Sequence, residues 1–211
     1  MTTNEFPAAG PARKSRLRWW LSGALLAGLA AYLLLIRDFL SLTRPVPAEV
    51  LILEAWFPQS PTMLDAADFI RRGHYRQVLC VAIDESGGGV PSAKLAAQRL
   101  SELGVDPGLI QVLVVPYQSR HKTYSSAVAA RDWLRHDRPG LRSVDVFTIG
   151  AHARKTLVFY RKAFPPEIAV GIVAGKVTTN YPFSLWWLSR RGIFVIVRNT
   201  IGYVYALAYS P

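Results

Sequence analysis

Between Trp19 and Ile36 the chain runs eighteen residues, WWLSGALLAGLAAYLLLI, without a single charge. As a helix this run extends roughly 27 Å, enough to cross a hydrocarbon core when its flanking residues snorkel. A buried core helix would need polar punctuation that is missing here, so residues 19–37 read as a transmembrane anchor. A cleaved signal peptide is the rival, because Gly28-Leu29-Ala30 supplies small residues at a possible processing site. The apolar run continues through Tyr32, Leu33, Leu34, Leu35 and Ile36, however, whereas a signal peptide ends its apolar region before the cut.

The anchor divides the chain. Residues 1–18 are a basic tail, 38–47 a short linker containing Pro45 and Pro47, and 48–211 a domain long enough to bury a core without staples. The only cysteine is Cys80, which excludes an intrachain disulfide and a cysteine-based zinc finger. It falls inside an apolar run and is expected to be buried and inert. The formal net charge of +11 would by itself admit nucleic acid, a membrane surface or a small anion as partner. Its distribution is more informative. The tail carries four basic residues and one acidic, residues 19–119 carry seven and nine, and residues 120–211 carry fourteen and four. By the positive-inside rule the tail stays in the cytoplasm and the domain lies on the far side of the inner membrane, periplasmic or otherwise extracytoplasmic. That topology argues against nucleic acid.

In the domain, Val50–Leu53, Val78–Ile83, Ile110–Val115, Val144–Ile149 and Ile168–Val173 are short apolar runs of the kind found in strands buried on both faces. Helical patterns fill Thr62–Arg72, Ser92–Leu103, Ser125–Arg135 and Arg154–Ala163. Alternating strands and helices imply an α/β fold, a mostly parallel, Rossmann-like five-stranded sheet with helices on both faces. The stretch from Pro182 to Ala208 is interrupted by Arg190, Arg191 and Arg198, which disfavours a second span. It reads as a terminal helix packed on the sheet, with Trp186, Trp187 and the arginines placed to touch lipid headgroups.

Ligands of such sheets bind beyond the carboxyl ends of the strands. Glu54-Ala55-Trp56 follows the first strand, Asp84-Glu85-Ser86 and Gly87, Gly88 and Gly89 the second, Tyr117 to Ser126 the third, and Gly150 to Lys155 the fourth. None of the familiar nucleotide motifs is present, neither Gly-x-Gly-x-x-Gly after the first strand nor a P-loop; Gly-x-Ser-x-Gly, His-Glu-x-x-His and a dense carboxylate cluster are also missing. No cofactor is named by the sequence, and no metal site is expected. Each rim residue has two readings. His152 either meets a ligand at a helix start or fixes its own loop. Arg154 and Lys155 sit in a first turn, where cations are unfavourable, and either meet an anion or point to solvent. Thr123 is an N-cap, alone or together with Arg120, His121 and Lys122 in a phosphate receptor. Gly87–Gly89 is an anion-binding nest or a flexible turn. Glu54, Asp84 and Glu85 are acid or base candidates, or merely solvating loop carboxylates. His74 and His136 fall at helix ends and need no function.

The segments RHKTYSSAVAARDWL (Arg120 to Leu134) and GAHARKTLVFYRKAF (Gly150 to Phe164) resemble the SanA/ElyC/YdcF-type family of bacterial envelope proteins. The resemblance covers roughly residues 48 to 205. It rests on the order of elements, the glycines at 87–89, Leu103-Gly104-Val105 before the third strand, Thr123 and His152. It implies a Rossmann-like sheet, an N-terminal anchor and a role in cell-wall or surface-polysaccharide processes. Three departures stand out: Glu54 and Ala55 replace glycines after the first strand, Ser125 and Ser126 stand where an acidic residue is common, and Lys155 stands where Arg is common, with Arg154 beside it.

The combined expectation is a membrane-anchored protein holding an anionic, phosphate-bearing or lipid-linked precursor. Its binding rim comprises Gly87, Gly88, Gly89, His121, Lys122, Thr123, Ser126, His152, Arg154 and Lys155, with His152, Asp84 and Glu54 as catalytic candidates if a reaction occurs. The alternative is a noncatalytic scaffold for envelope-assembly proteins.

Overall fold

The computed structural model describes residues 12–177 and 183–210. The first eleven residues of the basic tail, and Pro182 at the start of the terminal stretch, lie outside them. The chain forms two compact units, Met1–Ile36 and Arg37–Pro211. The first helix, α1 (Ala12–Leu40), contains the span Arg18–Leu40, 23 residues of mean hydropathy 1.9 with none of the apolar window buried. At 1.5 Å per residue this is about 35 Å, long and apolar enough to cross a membrane. Among the described residues no second helix meets that standard.

The second unit is built on five parallel strands: β1 (Val50–Glu54), β2 (Gln77–Ile83), β3 (Ile110–Val115), β4 (Ser143–Ile149) and β5 (Ala169–Gly175), in the order β3-β2-β1-β4-β5. This is the expected Rossmann-like α/β sheet. The period of two along each strand sorts its side chains into two cores. Val50, Ile52, Leu79, Val81, Val144 and Val146 face α4 (Lys122–Asp137) and α5 (Ala153–Ala163). Leu51, Leu53, Val78, Cys80, Ala82 and Phe147 face α2 (Thr62–Arg72) and α3 (Ser92–Glu102). Cys80 is buried as expected.

Several expectations are corrected. β1 runs one residue further and takes Glu54 into the sheet, and β5 continues to Gly175. β3 is an edge strand with Gln111 and Val112 exposed, so its apolar composition does not mean burial on both faces. The linker is not a loose tether. Asp38 to Leu40 are still helical, Leu40 is fully buried, and Arg44 pairs antiparallel with Ile172 on the free edge of β5. Asp145, in the middle of β4, is buried and accepts hydrogen bonds from the Val46 amide at 2.9 Å and the Tyr75 hydroxyl at 2.7 Å. Any side chain at Gly171 of β5 would overlap the Asp145 carboxylate and the backbone at Val46, so the linker lies across this glycine.

The terminal helix α6 (Arg190–Ala208) packs on the preceding turn Phe183–Leu188, on α5 and on the turn Gly150–His152, beyond the strand ends instead of on the sheet. Trp186 is buried, because Gly192 lets the first turn of α6 close against the Trp186 backbone; it is therefore not a headgroup contact.

Candidate functional site

The strand order switches sides between the parallel neighbours β1 and β4, the point at which a doubly wound fold opens its ligand crevice. Glu54 ends β1 at this point. The residue is 3% exposed, and its carboxylate accepts a hydrogen bond from the Thr156 hydroxyl at 2.9 Å. Thr156 is carried inward by the apolar stripe of α5, Ala153, Leu157, Tyr160 and Ala163, whose spacing of three and four residues marks a buried helix face. Burial pushes the Glu54 carboxyl upward from the ordinary glutamate range, and Thr148, Thr156, Lys155 and Trp56 partly offset this. Thr148 is close enough to act on the acid, but its buried hydroxyl, like that of Tyr160, has no partner in hydrogen-bonding geometry.

His152 ends the turn after β4. Gly150 makes that turn with φ of 43°, and a side chain there would overlap Val177. The imidazole Nδ1 lies 3.2 Å from Asn199 Oδ1 of α6, while Asn199 Nδ2 donates to the Val195 carbonyl at 2.8 Å. That second bond leaves Oδ1 as the acceptor, so Nδ1 is assigned the proton and Nε2 is the open lone pair. Nε2 faces Thr123 Oγ1 at 3.5 Å and Glu54 Oε2 at 3.9 Å. The Trp56 ring, half exposed, covers the imidazole at 5.3 Å between centroids. Burial, the Lys155 charge and the Arg198 charge push the His152 pKa down to about 3, against a smaller upward pull from Asn199. The ring is neutral at pH 7, and its approach to Glu54 is not an ion pair.

Arg154 and Lys155 part company because successive helical residues diverge by about 100°. Arg154 donates to the Phe39 carbonyl and lies 3.8 Å over the Phe39 ring. Lys155 turns inward, its stem against Gly202 of α6, and its pKa is lowered by burial, with Glu54 opposing and Arg198 reinforcing. The first-turn conflict with the helix dipole is therefore relieved within the chain for Arg154, whereas the Lys155 charge remains disfavoured by burial.

The remaining rim candidates are distributed differently. Thr123 is not the N-cap of α4. His121 holds that place with φ of 55°, and Thr123 sits inside the first turn facing His152. His121 instead bonds the Tyr205 hydroxyl through Nδ1 at 2.9 Å and stacks on that ring. Lys122 pairs with Glu85. Asp84 accepts from the Ser86 amide at 3.0 Å and its hydroxyl at 2.6 Å, which lowers its pKa and ties it into its own turn. Gly87, Gly88 and Gly89 are exposed in that same turn, and Ser126 is buried within α4. The structure thus brings Glu54, Thr123, His152 and Lys155 together and leaves Asp84, the glycines, His121, Lys122 and Arg154 outside that cluster.

Asn199, Thr156, Thr148 and Arg198 were not expected at the site. Thr156 is signalled by its place in an apolar helical stripe; Asn199 has no local signal, since only the path of α6 brings it to His152. A cleft of about 240 Å³ opens at the ends of β4 and β5, with Ser41, Gly150, Gly175 and Lys176 in its wall. Neither it nor a second cleft of about 200 Å³ near Arg131, Arg135 and Arg138 is lined by Glu54, His152 or Lys155. The cluster is covered by α6 and Trp56. Among the described residues no three His, Cys, Asp or Glu side chains converge as a metal site would require. Compared with protein-family models, curated proteins and solved structures, the chain matches none.

Proposed function

We propose that this is a single-pass envelope protein of the inner membrane, with its N-terminus in the cytoplasm and an extracytoplasmic domain that holds a phosphate-bearing or lipid-linked precursor at the β1–β4 switch point. The resemblance to the SanA/ElyC/YdcF-type family points the same way and supplies the cell-wall or surface-polysaccharide context. One observation carries the reading. Lys155 and Arg198 act together on a neutral imidazole, opposed by one buried carboxyl of raised pKa, so the local field favours an anion. A ligand phosphate entering beside Trp56 would meet Lys155 and Arg198 as counter-charges and Thr123 as a hydroxyl donor.

The reading is one of binding, not of proton transfer. A base works best with a pKa near the working pH, and His152 at about 3 accepts a hydrogen bond without retaining a proton. The test is pyrophosphate binding to the full chain in nanodiscs, measured by calorimetry for wild type, Lys155→Met and Arg198→Gln. We expect each variant to lose at least tenfold in affinity. Equal affinity in all three, or no binding to wild type, would sink the proposal.

A further inference from the structure

We infer that α6 is an interfacial helix that lies in the anionic surface of the same bilayer that α1 enters. The inference rests on the anchor reading of α1 and concerns a surface that reading does not use. α6 carries two faces. Gly192, Ile196 and Ala206 are buried against the domain, with Asn199 and Tyr203 between them at helical spacing. The opposite face repeats at three and four residues through Phe194, Val197, Ile201 and Val204, and is uncovered: Phe194 is 63% exposed, Ile201 64% and Val204 58%. Scattered apolar residues on a surface are ordinary, but a continuous stripe along a helix of 19 residues is not.

Two observations select a lipid surface as the occupant. The first is charge. From Arg190 to Ala208 the helix has no acidic residue, and besides Arg198 it carries Arg190 and Arg191 in its first turn, outside the ligand site, the composition of a helix that sits among anionic headgroups. The second is covalent continuity. Phe39 belongs to the apolar span Arg18–Leu40, and its ring meets Tyr203 of α6 edge-on at 5.4 Å. The chain therefore leaves its apolar span one side chain away from α6. Lys162 caps the far end of the helix by donating to the Leu207 carbonyl at 2.9 Å, so the helix is held to the domain while its outer stripe stays open.

The experiment uses the full chain reconstituted in vesicles of phosphatidylcholine with one-third phosphatidylglycerol. Single cysteines at Val197→Cys, Ile201→Cys, Leu29→Cys and Glu167→Cys carry an environment-sensitive fluorophore; buried Cys80 takes no label while the domain is folded. A lipid-borne nitroxide then reports proximity to the bilayer. Leu29→Cys tests the anchor by itself, and absence of quenching there overturns the anchor reading. With Leu29→Cys quenched, we expect Val197→Cys and Ile201→Cys to be quenched at least threefold more than the exposed control Glu167→Cys, and less so in vesicles of phosphatidylcholine alone. Quenching at 197 and 201 no greater than at 167 overturns the inference, as does disulfide cross-linking of two copies through Ile201→Cys without quenching. Equal quenching in the two lipid mixtures overturns the part assigned to the arginines.

Discussion

Replacing His152 by Gln tests the electrostatics of the site through the pH dependence of folding. In the unfolded chain a histidine titrates near 6.5, while in the folded domain His152 titrates at about 3. Below pH 6.5 the unfolded state takes up a proton that the folded state refuses. The stability His152 contributes is therefore fully present above pH 6.5 and is lost as pH falls toward 3, at about 1.4 kcal/mol per pH unit. Between pH 7.5 and 4.5 this amounts to about 3 kcal/mol, a large share of the stability of an ordinary domain. In His152→Gln the loss disappears. The variant also forfeits the Asn199 contact and the packing under Trp56, an offset that does not depend on pH. Urea unfolding of the full chain in detergent, followed by circular dichroism at both pH values, measures the difference, in which titrating groups common to both proteins cancel. Wild type should lose about 3 kcal/mol more than the variant on acidification. Equal losses, or a His152 proton resonance that titrates near pH 6.5, would refute the desolvated imidazole.

Three further outcomes follow from the packing. Burial pushes the Cys80 thiol up to about 12, so at pH 8 it should resist alkylation until urea unfolds the domain; native labelling at the rate of a free thiol contradicts its place in β2. Gly150→Ala meets both a positive φ and the Val177 side chain, and should lower stability by about 1–3 kcal/mol in urea titrations; an unchanged midpoint would exclude this backbone turn. Asp145→Ala strands the Val46 amide and the Tyr75 hydroxyl and should cost about 2–4 kcal/mol, whereas Tyr75→Phe should cost about 1. A larger loss in Tyr75→Phe than in Asp145→Ala would overturn the role given to the carboxylate.

The sheet was legible in the sequence because parallel strands buried on both faces leave continuous apolar runs, and all five runs begin and end within two residues of the observed strands. The edge position of β3 was not legible, since Ile110 to Val115 is as apolar as a central strand and burial there depends on neighbours. The site was half legible. His152 and Glu54 were drawn to the rim by the rule that ligands gather beyond strand ends, but Glu54 was read as a loop residue when the strand takes it in. Arg154 and Lys155 were treated as a pair, although one residue of helical rotation sends them to different partners. Asn199 reaches His152 across 47 residues of sequence, a distance over which no local pattern carries information.

The stitching of residues 43–47 to the sheet has a mechanical consequence. The Ala174 amide donates to Thr43 Oγ1 at 3.0 Å, Arg44 and Ile172 exchange backbone bonds at 2.7 and 3.1 Å, and Val46 is held by Asp145. A free segment of ten residues would extend to roughly 35 Å before transmitting any force. Here the slack has been taken up. Tension applied to the chain at Leu40 arrives at β5 as shear along a short ladder, so the first structures to yield under load would be the Thr43 to Ala174 bond and then the Arg44 to Ile172 pairing, and not the strands that carry Glu54 and His152.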